Sequence, residues 1–315
     1  MLNYWEKFDA MGTEVVLSAL LEEDEEGIIA EAKEFILDFS DRFSRFLPGN
    51  ELFALNSANG KRIKISPLMR EFLIQAKKFH QETGGIFDPT IIGALEEAGY
   101  DRDFSLIEKN VSGKRKGSEN EKDQAKYFSR VPFDALEVTE EGARSPKGWR
   151  IDTGGSGKGF IVDQVARKFF SEVENFWISA GGDIFFSGHR EGSLGWEVGV
   201  ENPLFPEENI FTLKTNGERL GVATSGIIKR KGVKDGQAWH HLIDPRTGKP
   251  VNNDIMAVTV MAPDTQTADV LAKTVLILGK ESGLELIENR LGTECIIFFQ
   301  NAKPLISRNM LKYIR

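Results

Sequence analysis

Apolar residues recur at every third or fourth position in two stretches of the N-terminal half, residues 27–46 and 67–82. This spacing puts them on one face of a helix, so each stretch predicts an amphipathic α-helix. The second stretch ends at Thr83-Gly84-Gly85, which is typical of a helix C-terminus because glycine adopts the left-handed conformation that closes the last turn. Further helices are predicted near residues 160–170, 268–278 and 281–289.

Short apolar runs separated by turn residues predict β-strands. They lie at residues 14–20, 177–180, 196–200, 210–213, 220–223, 256–261 and 295–299. Because these strands do not alternate regularly with helices, the pattern predicts an α+β fold, a mixed fold with antiparallel sheets flanked by helices. The 315 residues are enough for a single domain with a sizeable core, built as one body or as two intimate subdomains.

The region from residue 101 to 130 is polar and highly charged, and it contains the basic run Lys114-Arg115-Lys116. Such a composition buries too little apolar surface to pack, so we expect a mobile insertion here. The formal net charge of −8 argues against nucleic-acid binding, which requires clustered Lys and Arg. The chemistry must therefore be sought elsewhere in the chain.

The single cysteine, Cys295, lies in the apolar run Cys295-Ile296-Ile297-Phe298-Phe299, so we expect a core thiol and no internal disulfide. No apolar segment is long enough to cross a bilayer. The first residues contain neither a basic n-region nor a lipid-attachment cysteine. The expected location is cytoplasmic, or periplasmic or membrane-anchored if a leader was removed.

A glycine-rich turn with one lysine, residues 151–163, leads into an amphipathic pattern. Glycines allow close backbone approach, and N–H groups at a helix start beside an ammonium suit a phosphate or pyrophosphate. A Walker loop would need glycine at Asp152 and Ser or Thr at Gly159, and the dinucleotide fingerprint would need glycine at Phe160. An aspartic protease needs two carboxylates, and no second copy of Asp152-Thr153-Gly154 exists, so a protease would have to be a homodimer.

Several sparse motifs occur in one order along the chain. They are Met11-Gly12-Thr13, Phe43-Ser44-Arg45-Phe46 with Leu55-Asn56, the segment 84–90, the turn 152–163, Ala180-Gly181-Gly182-Asp183, Ala223-Thr224-Ser225-Gly226, the segment 241–248, and Thr267-Ala268-Asp269-Val270-Leu271-Ala272. Over roughly residues 8–299 this ordered set resembles the ApbE-type FAD:protein FMN transferases.

The resemblance implies an activity and its partners. FAD is split at its pyrophosphate, FMN passes to a Thr or Ser hydroxyl of an acceptor flavoprotein, AMP leaves, and Mg²⁺ assists. This agrees with the residues, because phosphoryl transfer depends mainly on positioning and on neutralisation of negative charge.

The resemblance also implies a set of residues that contact the cofactor. The set is Met11, Phe46, Gly85, Ile86, Phe87, Asp152, Lys158 and Ile243. Asp152 would accept hydrogen bonds from the ligand or from the loop. Phe46 departs from the Tyr or Asn of many members, so it either stacks on a ring of FAD or caps the core face of the first helix.

His241 and Lys158 are the implied catalytic residues. The histidine would either donate a proton to the departing phosphate or act as base for the acceptor hydroxyl, and the sequence leaves both open. Its alternative is to orient the Asp244-Pro245 turn. Lys158 would contact FAD near the glycine turn, its alternative being a solvated lysine at a helix end. Asp183 is read as a structural residue of a turn.

The implied metal ligands are the Gly155 carbonyl and Asp269, but the usual Thr four residues after the aspartate is replaced by Lys273. On a helix that residue shares the face of Asp269, whereas Thr274 lies about 140° around it. Lys273 could extend to solvent and leave the metal in place, replace the ion as a fixed charge, or pair with Asp269. The last arrangement leaves a second hypothesis open, a non-catalytic FAD-binding protein with a degenerate metal site.

Overall fold

The computed structural model of the chain describes residues 2–25, 27–100, 133–190, 192–234 and 237–315. The predicted insertion at 101–130 lies outside these residues. The helices are α1 (Gly27–Arg42), α2 (Glu51–Asn56), α3 (Pro67–Glu82), α4 (Ile92–Ala98), α5 (Gly157–Lys168), α6 (Thr265–Leu278) and α7 (Lys280–Glu288). The strands are β1 (Leu2–Ala10), β2 (Thr13–Leu21), β3 (Glu137–Thr139), β4 (Gly142–Arg144), β5 (Phe176–Ala180), β6 (Asp183–Gly188), β7 (Glu197–Glu201), β8 (Asn209–Lys214), β9 (Gly217–Gly226), β10 (Lys231–Lys234), β11 (Gln237–His240), β12 (Ile243–Asp244), β13 (Lys249–Pro250), β14 (Ile255–Ala262), β15 (Glu294–Phe299) and β16 (Leu305–Ile306).

The chain divides into two compact units. Unit 1 comprises Met1–Ser40, Ser156–Ile228 and Asn253–Arg315, and unit 2 comprises Asp41–Gly155 and Lys229–Asn252. The chain therefore leaves unit 1 twice and returns to it twice.

Unit 1 is built on an eight-stranded sheet with the order β1-β2-β5-β6-β9-β14-β15-β16. Every neighbouring pair in this sheet is antiparallel, and the separate pair β7 and β8 is antiparallel as well. Alternate residues of β2 from Val15 to Leu21 are almost completely buried. This alternation is what a strand with one face on a core requires.

Helix α6 is the most deeply buried helix described in unit 1, in contact with β9 and β14 of the sheet and with helices α5 and α7. Its close approach to α5 depends on Gly159, because a Cβ at that position would lie 2.6 Å from the Cα of Gln266. Asp163 of α5 strengthens the same contact by accepting the N–H groups of Thr265 and Gln266 at 2.9 and 2.8 Å. A polar side chain on α6 must therefore find its partners inside the protein.

Unit 2 contains α2, α3 and α4 with three small antiparallel strand pairs, β3 with β4, β10 with β11, and β12 with β13. Phe43 and Phe72 pack edge to face with ring centroids 5.9 Å apart, and Phe133 stacks on Trp149 at 6.4 Å. These aromatic contacts form the interior of the unit, as their large apolar area leads one to expect.

The predicted α+β fold with antiparallel sheets is confirmed, and each predicted strand and helix has a counterpart within a few residues. Two expectations are wrong. The first strand is β1, not the run at 14–20, because β1 is an edge strand whose charged residues hide its periodicity. The first helix ends at Arg42, not at residue 46, and the chain then turns through the aromatic motif.

Two further expectations concern Cys295 and the membrane. Cys295 is fully buried in β15, and this burial raises the pKa of its thiol to about 12, so it is a core residue as predicted. Among the described residues, no helix is both long enough and apolar enough to span a bilayer.

Candidate functional site

A two-residue turn places a carboxylate inside unit 1. Gly181 and Gly182 connect β5 to β6, and both have positive φ, 62° and 91°, as a tight hairpin of this kind requires. A Cβ on Gly181 would lie 2.4 Å from the Oγ1 of Thr13, so only glycine fits there. The turn delivers Asp183, the first residue of β6, to a position where it is 1% exposed.

Lys158 is the partner of this carboxylate. It is the second residue of α5, and its ammonium donates a hydrogen bond to Asp183 Oδ2. The lysine side chain remains 18% exposed while Asp183 is buried, so the ammonium lies at the outer end of the pair. The residue before the helix, Ser156, is fully buried, and its Oγ has no hydrogen-bond partner among the described residues.

A second pair lies on helix α6. Asp269 is 1% exposed, and Lys273, one turn later, donates to its Oδ1 and also to its backbone carbonyl at 3.3 Å. Of the three arrangements left open for Lys273, the structure shows the lysine paired with Asp269, because burial of Asp269 favours an ammonium beside it. Asp269 Oδ2 is buried and has no hydrogen-bond donor in the described part of the chain.

Lys158, Asp183, Asp269 and Lys273 form what we call the lysine–aspartate cluster. Burial raises the pKa of Asp183 to about 6, and the Asp269 carboxylate acts in the same direction, whereas both ammonium groups oppose the shift. The two carboxylates therefore repel each other, and the two lysine ammonium groups offset their negative charge. Asp183 was predicted to be a structural residue of a turn, and the structure shows it as the buried partner of Lys158.

Met11 lies in the turn between β1 and β2. Its φ is 54°, in the left-handed region that non-glycine residues rarely adopt, and Gly12 follows with φ 67°. The N–H of Met11 donates to Ser40 Oγ at 2.9 Å, which holds the turn. Backbone strain of this kind is typical of ligand-binding positions.

In unit 2, Arg45 organises an aromatic group. Its guanidinium lies 4.3 Å from the ring centroid of Phe46 and 5.0 Å from that of Tyr100, and it donates to the Tyr100 carbonyl at 3.0 Å. Tyr100 also packs against the rings of Trp239 and His241, at 6.4 and 6.5 Å. We call these five residues the arginine–aromatic cluster. Arg45 and Tyr100 were not among the predicted site residues, although Arg45 lies in the Phe43-Ser44-Arg45-Phe46 motif.

The start of the glycine turn is anchored in unit 2. The Asn56 side chain accepts from the Ile151 N–H at 2.7 Å and donates to the Ile151 carbonyl at 3.0 Å. Asp152 Oδ1 accepts the N–H of Gly154 at 3.1 Å and lies 3.5 Å from Arg45 Nε. Of the two partners expected for Asp152, the structure thus shows the loop.

Gly85, Ile86 and Phe87 follow helix α3. Gly85 has φ 82°, and Ile86 and Phe87 are each 7% exposed. The Phe87 carbonyl is 2.9 Å from the Nδ1 of the buried His80, and the Phe87 ring lies close enough to Gly155 that a Cβ there would be 3.2 Å away. The Gly85–Phe87 segment and the glycine turn are therefore brought together within unit 2.

His241 and His240 have different surroundings. The N–H of His241 donates to the Arg230 carbonyl at 3.1 Å, and its Nδ1 is 3.3 Å from the same oxygen. His240 Nε2 is 2.9 Å from the Val251 carbonyl, and burial lowers the pKa of that histidine. Ile243 is buried against Ala94 and Leu95, so its side chain belongs to the core.

Comparisons with known proteins agree with the fold and the order of motifs. The model of the ApbE family matches residues 11–297. The FAD:protein FMN transferase of Haemophilus influenzae is 27% identical over 283 residues, 86% of this chain and 78% of that protein. The enzyme of the same name from Treponema pallidum is 26% identical over 277 residues, 84% of this chain and 75% of that protein.

Solved structures show the same fold. The crystal structure of the ApbE protein from Thermotoga maritima superposes with a TM-score of 0.85 at 23% identity, over 100% of both chains. The flavin transferase ApbE from Vibrio cholerae superposes with a TM-score of 0.78 at 20% identity, over 99% of this chain and 100% of that one.

Proposed function

This chain belongs to the ApbE family, and on that premise we propose that it is a flavin transferase that splits FAD and attaches FMN to a Thr or Ser hydroxyl of an acceptor flavoprotein. The acceptor oxygen forms a bond to the phosphorus of the FMN half. The bond from that phosphorus to the bridging oxygen breaks, and AMP leaves with the electron pair. The hydroxyl proton passes to a base and then to the departing phosphate.

The observation that carries this proposal is the first turn of α5. Ser156 offers a buried Oγ without a described partner, Lys158 offers an ammonium, and the helix start offers N–H groups. A pyrophosphate oxygen satisfies all three kinds of donor, and each charge-assisted hydrogen bond contributes about 1.5–3 kcal/mol. A helix start furnished in this way favours a doubly anionic ligand over a neutral one.

His241 is proposed as the base. If its Nδ1–H donates to the Arg230 carbonyl, the neutral ring keeps its lone pair on Nε2, the nitrogen that can accept a proton from the acceptor hydroxyl. Between the two roles that the sequence leaves open, this tautomer favours proton acceptance first and return of the proton to AMP second.

The remaining contacts with the cofactor stay predictions. Met11 in its strained turn and Phe46 in the arginine–aromatic cluster are proposed to contact its rings, the latter with Arg45 behind its face. Gly85, Ile86, Phe87, Asp152 and Ile243 are proposed to contribute mainly backbone groups, because the structure engages or buries their side chains where they have one.

Magnesium assistance also stays a prediction, and the residues around Asp269 do not fit a divalent ion. Lys273 occupies Asp269 Oδ1, and the described residues contain no group of three or more His, Cys, Asp or Glu suited to a metal. When bound, Mg²⁺ would neutralise pyrophosphate charge and polarise a phosphoryl oxygen.

The Lys273–Asp269 pair also favours a second candidate function, a protein that binds FAD without transferring it. The two candidates differ in whether AMP is formed. To test this, the purified chain is incubated with FAD and a candidate acceptor, in the presence of Mg²⁺ or of EDTA. FAD, FMN and AMP are then separated, and the mass of the acceptor is measured by mass spectrometry. Acceptor carrying FMN with equimolar AMP supports the transferase, and intact bound FAD supports the binder.

The role of Lys158 is tested on the same samples. Lys158→Met keeps the aliphatic stem and removes the charge, so FAD should bind roughly 10- to 100-fold more weakly, the factor that corresponds to one charge-assisted hydrogen bond. Lys168→Met, at the other end of α5, is the matched control. Unchanged affinity in Lys158→Met, measured by flavin fluorescence titration, would remove Lys158 from the site.

A further inference from the structure

Asp269 is placed where a cation is needed. It projects from the most deeply buried helix described in unit 1 and is 1% exposed, and it lies near Asp183, which is equally buried. A buried carboxylate without a cation is strongly disfavoured. A lysine of the same helix supplies this cation, since Lys273 Nζ donates to both Oδ1 and the backbone carbonyl of Asp269.

Two other side chains that could supply oxygen ligands to a metal, those of Thr274 and Asp183, are engaged in hydrogen bonds of their own. The hydroxyl of Thr274, the residue after the lysine, donates to the Val270 carbonyl at 2.8 Å. Asp183 already accepts from Lys158. Asp269 Oδ2 has no described hydrogen-bond donor, but a metal bound there would share one carboxylate with an ammonium. Mg²⁺ bound to Asp269 Oδ2 would have the Lys273 ammonium on the same carboxylate, which makes a poor site for a divalent cation.

The net charge of the lysine–aspartate cluster also disfavours a divalent cation. Two carboxylates and two ammonium groups make the lysine–aspartate cluster neutral without an added ion. A divalent cation would bring two uncompensated positive charges into a largely buried cluster. Repulsion from Lys273 would be strong there, because buried charges are weakly screened.

We propose that the Lys273 ammonium takes the place of a divalent cation at Asp269, so that this carboxylate binds no metal and the positive charge beside it is permanent. The question of a cation here rests on the proposed phosphoryl transfer. The consequence is that any flavin transfer by this chain proceeds without a metal ion held by Asp269.

The test measures metal binding directly, with Mn²⁺ as a paramagnetic probe for the Mg²⁺ site. The 315-residue chain is titrated with Mn²⁺, and free Mn²⁺ is followed by electron paramagnetic resonance. We expect the wild type and Asp269→Asn to bind Mn²⁺ equally weakly. Lys273→Thr should bind one Mn²⁺ at least tenfold more tightly, Lys273→Thr with Asp269→Asn should lose that gain, and Lys280→Thr, at an exposed position, should behave as wild type.

Two results would overturn the proposal. One is a wild-type chain that binds one Mn²⁺ tightly and loses it on Asp269→Asn. The other is a folded Lys273→Thr variant, checked by circular dichroism, that gains no affinity. If that variant does not fold, the comparison of wild type with Asp269→Asn decides alone. If the Mn²⁺ affinities are as expected but the chain does not transfer flavin, the result counts against the proposed function only.

Discussion

Replacing Lys158 by Met should make the stability of this protein depend on pH in a specific way. The substitution removes the ammonium that Asp183 accepts from, while the carboxylate stays 1% exposed and close to the charge of Asp269. Asp183 in the variant should then remain protonated to higher pH, because burial disfavours its ionised form.

The magnitude follows from the pKa of Asp183, which is raised from an ordinary value of 3.8 to about 6. A carboxyl whose folded pKa is raised stabilises the fold most at low pH, and that contribution is lost as the pH rises through the folded pKa. In the wild type the loss between pH 4 and pH 8 is about 3 kcal/mol, at about 1.4 kcal/mol for each unit between the two pKa values. If the variant keeps Asp183 neutral to pH 8, its loss is about 6 kcal/mol by the same arithmetic, because pH 8 lies about four units above the ordinary pKa of the group.

Lys158→Met should therefore destabilise the protein more at pH 8 than at pH 5. The difference in its effect on the free energy of unfolding between the two pH values should be up to about 3 kcal/mol, since Asp183 is mostly protonated in both proteins at pH 5. Urea unfolding at the two pH values measures this difference. In an Asp183→Asn background the same substitution should show no pH dependence. An equal effect of Lys158→Met at pH 5 and pH 8, or a larger one at pH 5, would refute the reasoning.

Two further predictions concern helix packing and the histidines. Gly159→Ala should lower the free energy of unfolding by about 1–3 kcal/mol, because its Cβ would meet the backbone of Gln266 at 2.6 Å. Thermal melting measures this loss, and the control is Gly93→Ala, whose Cβ would have no other atom within 4 Å. Equal melting temperatures for Gly159→Ala and the wild type would contradict the prediction. His241→Ala should reduce kcat for flavin transfer by about 10²- to 10⁴-fold with FAD affinity changed far less. His240→Ala should instead lower the melting temperature and leave kcat within a few-fold, because His240 bonds a structural carbonyl, and the reverse pattern would exchange their roles.

Local periodicity was enough to predict most of the fold. Helix α3 follows its predicted bounds and ends before Gly84, where φ is 59°, because both the apolar stripe and the glycine signal are properties of the residues themselves. Strand β1 escaped because an edge strand carries charged residues on an alternating pattern that resembles a loop. Arg45 was not predicted because its partner Tyr100, which it contacts with its guanidinium, lies 55 residues away in the sequence.

Residue type and short spacing are enough to establish the order of the motifs, the glycine turns and the lysine at position 273. The partners of the charged side chains depend on the three-dimensional fold. Lys158 meets Asp183 because a hairpin of glycines brings that carboxylate to the start of α5, and Lys273 turns to Asp269 because α6 is buried. A flexible lysine side chain pairs with a buried carboxylate because that carboxylate is the one most destabilised without a cation. Which carboxylates are buried is a property of the whole fold.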